Sequence, residues 1–106
     1  MNTFDDREKG FERKFAHDQE LKFKASARRN KLLGQWAAKL MGLAPAEAED
    51  YAKLVIKADL EEPGDEDVYR KVRGDLDKKN ISVSDEEIRE KMISLMHTAI
   101  NQIESE

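Results

Sequence analysis

Hydrophobic residues recur at helical spacing along almost the whole chain, and no run alternates in the way a half-buried strand does. The pattern predicts four helices, over residues 21–42, 45–61, 65–78 and 84–103. Gly42, Pro45 and the Pro63-Gly64 pair supply breaks, and Ser84 with Glu87 has the spacing of a capping box. We therefore predict an all-α fold, a small four-helix bundle with short links.

The first of these helices is apolar on two adjoining faces, which is typical of a helix that contacts more than one neighbour. One face carries Leu32, Leu33, Trp36 and Leu40, and the other carries Phe23, Ala27, Ala37 and Met41. The pattern predicts that residues 21–42 form the central helix of the bundle. Trp36, the single tryptophan, is predicted to anchor the core.

The stripe continues toward the N-terminus into a segment that is otherwise charged. Phe4, Phe11 and Phe15 fall within about 40° of one another on a helical projection. A single helix over residues 4–42 would be about 58 Å long, whereas a compact domain of this size has a radius of gyration near ~13 Å. We therefore predict a mobile, partly helical arm over residues 1–20 and a bundle over residues 21–106.

An aromatic stripe that the bundle cannot cover indicates a protein partner. The simpler alternative is that the arm folds back onto its own bundle. The intervening charge makes that alternative the less attractive of the two.

Composition restricts the classes of protein to which the chain can belong. The 106 residues suffice for one domain, and 40% of them are charged. The chain contains no cysteine, no apolar run long enough for a membrane span and no apolar signal segment, so we expect a cytoplasmic protein that is monomeric when free. Residues 1–42 hold ten basic and six acidic side chains, net +4, and residues 43–106 hold nine and seventeen, net −8. This balance argues against nucleic-acid binding but permits a local anion site on the first helix.

The search for catalytic chemistry indicates that the chain is not an enzyme. Neither His17 nor His97 has a ligand-like neighbour at helical spacing, and calcium-loop and phosphate-loop patterns are absent. An ordinary surface or partly packed histidine is the better interpretation for each, with a pH sensor at His17 as the alternative. We predict no catalytic residue and no metal site.

Four cations on the first helix form a candidate phosphate site. Lys24 and Arg28 share one side of the helix, Arg29 and Lys31 follow, and guanidinium groups suit phosphate oxygens. A solvated basic face is the simpler interpretation of the same residues. The sequence leaves both open.

Several blocks of the sequence carry a family resemblance. They are FDDRE at 4–8, KFAHD at 14–18, ARRNKLLGQWAA at 27–38, YAKLVIKADLEEPGDEDVYRKV at 51–72 and SDEEIREKM at 84–92. With these blocks in order, the chain resembles the zeta-subunit inhibitor family of the alphaproteobacterial F-type ATP synthase. The resemblance implies a four-helix bundle whose N-terminal segment is disordered when free. That segment becomes helical and inserts between alpha and beta subunits of the catalytic head, near gamma, which blocks ATP hydrolysis.

The resemblance also implies a set of site residues and ligands. The inhibitory match falls on Phe4, Asp5, Asp6, Arg7, Glu8, Phe11, Glu12, Lys14, Phe15, Ala16 and His17. It implies ADP or ATP as a regulatory ligand on the bundle, with no required cofactor, and a place at the inner membrane through the synthase without insertion into the lipid. The nucleotide contacts do not follow from the resemblance, so Lys24, Arg28, Arg29 and Lys31 rest on the physical argument above. The alternatives are an adenine-nucleotide-sensing module and a helical scaffold without direct inhibition.

Overall fold

The computed structural model describes residues 19–60 and 64–106, and these form four α-helices. In chain order they are α1 (Gln19–Leu40), α2 (Pro45–Ala58), α3 (Glu66–Lys78) and α4 (Asp85–Ser105). The predicted all-α four-helix fold is confirmed for this part of the chain. The predicted arm was residues 1–20, of which residues 1–18 lie outside the described residues and Gln19 and Glu20 belong to α1.

Helix α1 ends in a Schellman motif that its sequence makes possible. Gly42 has a φ of 71°, which glycine adopts without a side-chain clash. The Gly42 amide donates to the Lys39 carbonyl at 3.2 Å, and the Leu43 amide donates to the Ala38 carbonyl at 3.0 Å. These two bonds turn the chain sharply, and Pro45 then occupies the first turn of α2.

Helix α3 ends in the same way, with asparagine in place of glycine. Asn80 has a φ of 57°, its amide donates to Asp77 at 3.0 Å, and the Ile81 amide donates to Leu76 at 2.9 Å. Ile81 and Val83 then pack against the core. Helix α4 begins at the predicted cap, where the Ser84 hydroxyl accepts a hydrogen bond from the Glu87 amide at 3.1 Å.

The core lies between α1 and the other three helices, all of which contact it. Its fully buried side chains are aliphatic, and they come from every helix: Leu33, Ala37 and Ala38, Val55, Val68, Val72 and Leu76, and Ile88. The predicted central position of the first helix is therefore confirmed.

Two details of the structure differ from the prediction. Helix α2 ends at Ala58, three residues before the predicted end, where the Leu60 amide bonds to the Lys57 carbonyl. Trp36 packs at the margin of the core and is only partly buried. The α1 residues within the core are Leu33, Ala37 and Ala38, and Trp36 lies beside them near Lys91 of α4.

Candidate functional site

The four cations predicted to form a phosphate site do not all face the same way. Lys24, Arg28 and Lys31 line one groove, with a volume of about 350 Å³. Its other lining residues are Phe23 and Ala27 on α1, Ile56 on α2, and Ile103 and Glu106 at the C-terminal end of the chain. We call this set of eight residues the basic groove.

The apolar part of the basic groove comes from three helices. Phe23 is 60% exposed, while Ala27, Ile56 and Ile103 are partly buried beside it. The surface therefore offers an aromatic ring and aliphatic walls next to positive charge. This combination suits a ligand that is flat or apolar at one end and anionic at the other.

The three cations of the groove differ in how far their charge is already neutralised. Arg28 donates to Gln102 at 2.9 Å and to the Glu106 carboxylate at 2.5 Å, at the end of α4 where the last turn has no basic residue of its own. Lys24 lies 3.9 Å from Glu20, and both side chains are mostly exposed, so this pair contributes little. Lys31 is exposed and forms no ion pair with any carboxylate in residues 19–60 or 64–106. Lys24 and Lys31 therefore remain available to an anion.

Arg29 lies away from this groove and is 2% exposed. Its guanidinium donates to Asp65 at 2.8 Å and to the side-chain oxygen of Asn30 at 2.6 Å. Asn30 is itself fully buried, and its side-chain nitrogen has no hydrogen-bond partner among the residues that the structure describes. Arg29 therefore connects α1 to the start of α3, a role that its position in a run of cations does not reveal.

A second concave surface lies where Arg29 reaches the bundle surface. It has a volume of about 280 Å³ and is lined by Arg29, Asp65, Arg89, Met92, Ile93, Met96 and His97. His97 is exposed there, as an ordinary surface histidine would be. Arg89 crosses this region to pair with both oxygens of Glu66 at 2.9 and 3.2 Å, and it stacks 3.9 Å from the centre of the Tyr69 ring.

Polar contacts also join α2 to α3. The Tyr51 hydroxyl donates to Asp75 at 2.9 Å, and Lys71 pairs with the same carboxylate at 3.0 Å. Burial, together with the Asp75 hydrogen bond and charge, raises the pKa of the Tyr51 hydroxyl well above its ordinary value of 10.0. Tyr51 is therefore a neutral hydrogen-bond donor that holds two helices together.

Sequence reasoning did not identify Phe23, Ile56 and Ile103 as members of the site. Phe23 was placed on an apolar face of the first helix and Ile103 was given no role, and Ile56 lies off the stripe that Tyr51, Val55 and Ala58 form at helical spacing on its helix. The position of Ile56 outside the apolar stripe of its helix was the one feature of the sequence that could have indicated a site residue. The juxtaposition of three helices could come only from the fold.

Within the described residues, no group of three histidine, cysteine, aspartate or glutamate side chains is placed to hold a metal ion. In the same part of the chain, no helix combines the length and the hydrophobicity that a membrane crossing requires. The candidate inhibitory residues, from Phe4 to His17, all lie outside the described residues.

Comparison with known proteins identifies the family. One solved structure, determined by solution NMR, is 49% identical to this chain and superposes with a TM-score of 0.72. The match covers 80% of this chain and 96% of that one. No curated protein matches the chain. A family model described as ATPase inhibitor subunit zeta matches residues 1–102, and the chain therefore belongs to the ATPase inhibitor subunit zeta family, whose members are regulatory proteins and not enzymes.

Proposed function

We propose that this protein inhibits ATP hydrolysis by the F-type ATP synthase through its N-terminal arm, residues 1–18, which becomes helical in a cleft between alpha and beta subunits near gamma. The observation that supports this most is the extent of the family match. It begins at residue 1, so the arm belongs to what the family shares and is not an extension specific to this chain. Membership in an inhibitor family makes the synthase the partner.

The residue pattern of the arm suits insertion into a cleft. Phe4, Phe11 and Phe15 share one helical face, and each ring that becomes fully covered contributes about 1.5–3 kcal/mol. Asp5, Asp6 and Glu8 supply charge that fixes the register of the helix at the rim of the cleft. A helix held between subunits blocks the conformational cycle on which hydrolysis depends.

The first test compares inhibition by two single variants of the full chain. Phe11→Ser should raise the concentration needed for half-maximal inhibition of the catalytic head by about 10- to 100-fold, because one ring loses its burial. Leu54→Ser is the matched control, since Leu54 is 49% exposed on α2 and lies outside the arm and the basic groove. Equal inhibition by Phe11→Ser and the unaltered protein would refute insertion of the arm.

A second activity has its own support in the basic groove. We propose that ADP or ATP binds there, with the base against Phe23 and the phosphates near Lys24 and Lys31. The Phe23 ring and the two incompletely neutralised cations carry this proposal. Arg29 does not belong to the proposed site, because it faces Asp65.

Titration with ADP, followed by backbone NMR, tests the nucleotide site. Amide shifts should concentrate at Phe23, Ala27 and Ile103, and Lys31→Ala should weaken binding. Lys39→Ala is the matched control, because Lys39 is exposed near the end of the same helix and outside the groove. Shifts confined to other parts of the bundle, or none at all, would remove this site.

A further inference from the structure

Arg28 lies in the middle of the basic groove, but its charge is already paired. It lies four residues from Lys24 and three from Lys31, so the three cations follow one side of α1 over about 10 Å. The Glu106 carboxylate contacts the Arg28 guanidinium at 2.5 Å and lines the same groove. The central cation of the row is therefore neutralised by a carboxylate of the protein itself.

We propose that Glu106 competes with phosphate groups for Arg28, so that a phosphate ligand enters the basic groove by displacing this carboxylate. The competition rests on the nucleotide site proposed above for the identity of the ligand. Glu106 then lowers the affinity of the groove for phosphate in the free protein. The last turn of α4 becomes the part of the fold that responds when the ligand binds.

Two side chains of α4 hold the Arg28 guanidinium, and they differ in charge. The neutral amide oxygen of Gln102 accepts a hydrogen bond from Nη1 at 2.9 Å, and the Glu106 carboxylate accepts one from Nη2. A phosphate oxygen can replace the carboxylate at Nη2 while Gln102 continues to orient the guanidinium, because guanidinium donors suit both anions. Departure of Glu106 also removes a negative charge that repels the ligand.

The ion pair is exposed enough for this exchange. The Arg28 side chain is 29% exposed and the Glu106 side chain is 59% exposed, so water reaches both partners and a displaced carboxylate is hydrated. The ion pair of Arg29 differs, because its guanidinium is 2% exposed and lies outside the groove. Of the two adjacent arginines, Arg28 is thus the one whose partner a phosphate can replace.

A polar depression on the other side of the ion pair offers the displaced carboxylate a position. It has a volume of about 530 Å³ and is lined by Arg28, Thr98, Asn101, Gln102, Ser105 and Glu106. Arg28 and Glu106 line both this depression and the basic groove, so the ion pair stands between the two. The Asn101 amide can donate a hydrogen bond to the carboxylate there. Rotation of the Glu106 side chain can therefore open the groove without unfolding α4.

Dissociation constants for ADP and for inorganic pyrophosphate, measured from amide shifts in the groove of the full chain, test the competition. Glu106→Gln should tighten binding of both by about three- to tenfold, as expected if most free molecules hold the ion pair. Glu104→Gln removes the same charge from the same turn. It is the matched control, because Glu104 is exposed, lies outside the groove and forms no ion pair in the described part of the chain. Equal dissociation constants for the two variants would overturn the proposal.

An Arg28→Gln background separates competition from the simple removal of a charge. In that background Glu106→Gln and Glu104→Gln should have the same effect on binding, because no guanidinium remains to be released. If Glu106→Gln still tightened binding to the full extent there, the carboxylate would act by repulsion alone, and competition for Arg28 would be excluded.

The two ligands distinguish failure of the competition from failure of the nucleotide site. Pyrophosphate binding that Glu106→Gln tightens, without ADP binding in the groove, would refute the nucleotide site and retain the competition. ADP binding in the groove that Glu106→Gln does not tighten would do the reverse. In the unaltered protein, the amides of Ser105 and Glu106 should shift together with that of Lys31. Absence of binding by either ligand in every variant would refute both.

Discussion

Arg29 shows that the role of a residue depends on its burial and on the partner that it contacts. In the sequence it is one of four cations, adjacent to Arg28 and close to Lys31. In the structure its side chain is 2% exposed, and its partner Asp65 is 58% exposed. The pair thus has one desolvated charge and one largely hydrated charge, and the guanidinium depends on Asp65 more than Asp65 depends on it.

This asymmetry predicts a strong coupling between the two residues. Asp65→Ala should lower the free energy of unfolding by about 1–3 kcal/mol, because it leaves a buried guanidinium N–H without its acceptor. In an Arg29→Met background the same substitution should change stability by less than about 0.5 kcal/mol, since no buried charge remains. Urea denaturation of the unaltered protein, the two single variants and the double variant measures the coupling. Equal effects of Asp65→Ala in both backgrounds would contradict a role for the ion pair.

Gly34 is a second residue whose importance depends on its neighbour. It lies inside α1, where glycine usually weakens a helix, but it faces the backbone of α2. A Cβ atom at this position would lie 2.7 Å from the Cα of Ala52 and 3.3 Å from a methyl group of Val55. The absence of a side chain therefore lets α1 and α2 pack closely.

The chain provides a matched comparison for this packing. Gly34→Ala should destabilise the protein by about 1–3 kcal/mol, because either helix must move to relieve the clash. Gly74→Ala, in α3 where an added Cβ meets nothing within 4 Å, should stabilise it by about 0.5–1 kcal/mol through helix propensity alone. Thermal unfolding of both variants measures whether each substitution raises or lowers the stability of the protein. Stabilisation by Gly34→Ala would show that the helices separate without cost.

At the scale of the helix, the start of α3 carries three acidic residues, Asp65 at the N-cap and Glu66 and Asp67 in the first turn. The sequence explains them by the positive end of the helix dipole. The structure adds a partner for each, because Asp65 bonds to Arg29 of α1, Glu66 to Arg89 of α4, and Asp67 lies 3.5 Å from Arg70. The start of α3 is thereby attached to two other helices.

These contacts predict a pH dependence of stability. Hydrogen bonding and charge interaction with Arg89 lower the pKa of the Glu66 carboxyl below its ordinary value of 4.5. A lowered pKa in the folded state means that the contact stabilises the protein above the ordinary value, and that this is lost as the pH falls through the lowered pKa. The urea midpoint should therefore decrease between about pH 5 and pH 3.

Substitution isolates the part of this decrease that belongs to Glu66. Glu66→Gln should make the decrease shallower, whereas Glu86→Gln should leave it steep, because Glu86 is exposed and has no ion pair in the described part of the chain. Identical pH profiles for the two variants would contradict the assignment to Glu66. The solvent exposure of the pair keeps the expected effect small.

The helices could be predicted from the sequence largely because their ends have local chemical causes. Gly42 and Ser84 each satisfy backbone groups within a few residues, so the pattern alone located them. Where the cause lay in another helix, the prediction was wrong. Trp36 is one such case, because the apolar stripe of α1 does not indicate which of its members the other helices cover.

At the scale of the whole molecule, only part of the candidate site could be predicted from the sequence. Lys24, Arg28 and Lys31 could be predicted because one helix carries them at regular spacing. Ile56 and Ile103 could not, since they reach the groove from α2 and α4. Arg29 was wrongly included in the site because of its spacing along the helix. Its side chain is directed instead by a hydrogen bond to Asp65, 36 positions away.

The balance between arm and bundle predicts the effect of a single glycine in the arm. Gly10 lies between the aromatic residues Phe4 and Phe11, and in a helix glycine costs about 1 kcal/mol relative to alanine. If the arm binds the ATPase as a helix through residue 10, Gly10→Ala should tighten inhibition by up to about fivefold, because less ordering is left to occur on binding. Half-maximal inhibition of hydrolysis by the catalytic head is the measurement.

Gly74→Ala is the control that separates this effect from general stabilisation. It should raise the stability of the bundle without changing inhibition, since Gly74 lies in α3 and outside the basic groove. A Gly10→Ala variant that inhibits more weakly than the unaltered protein would show that residue 10 is not helical in the inhibited complex.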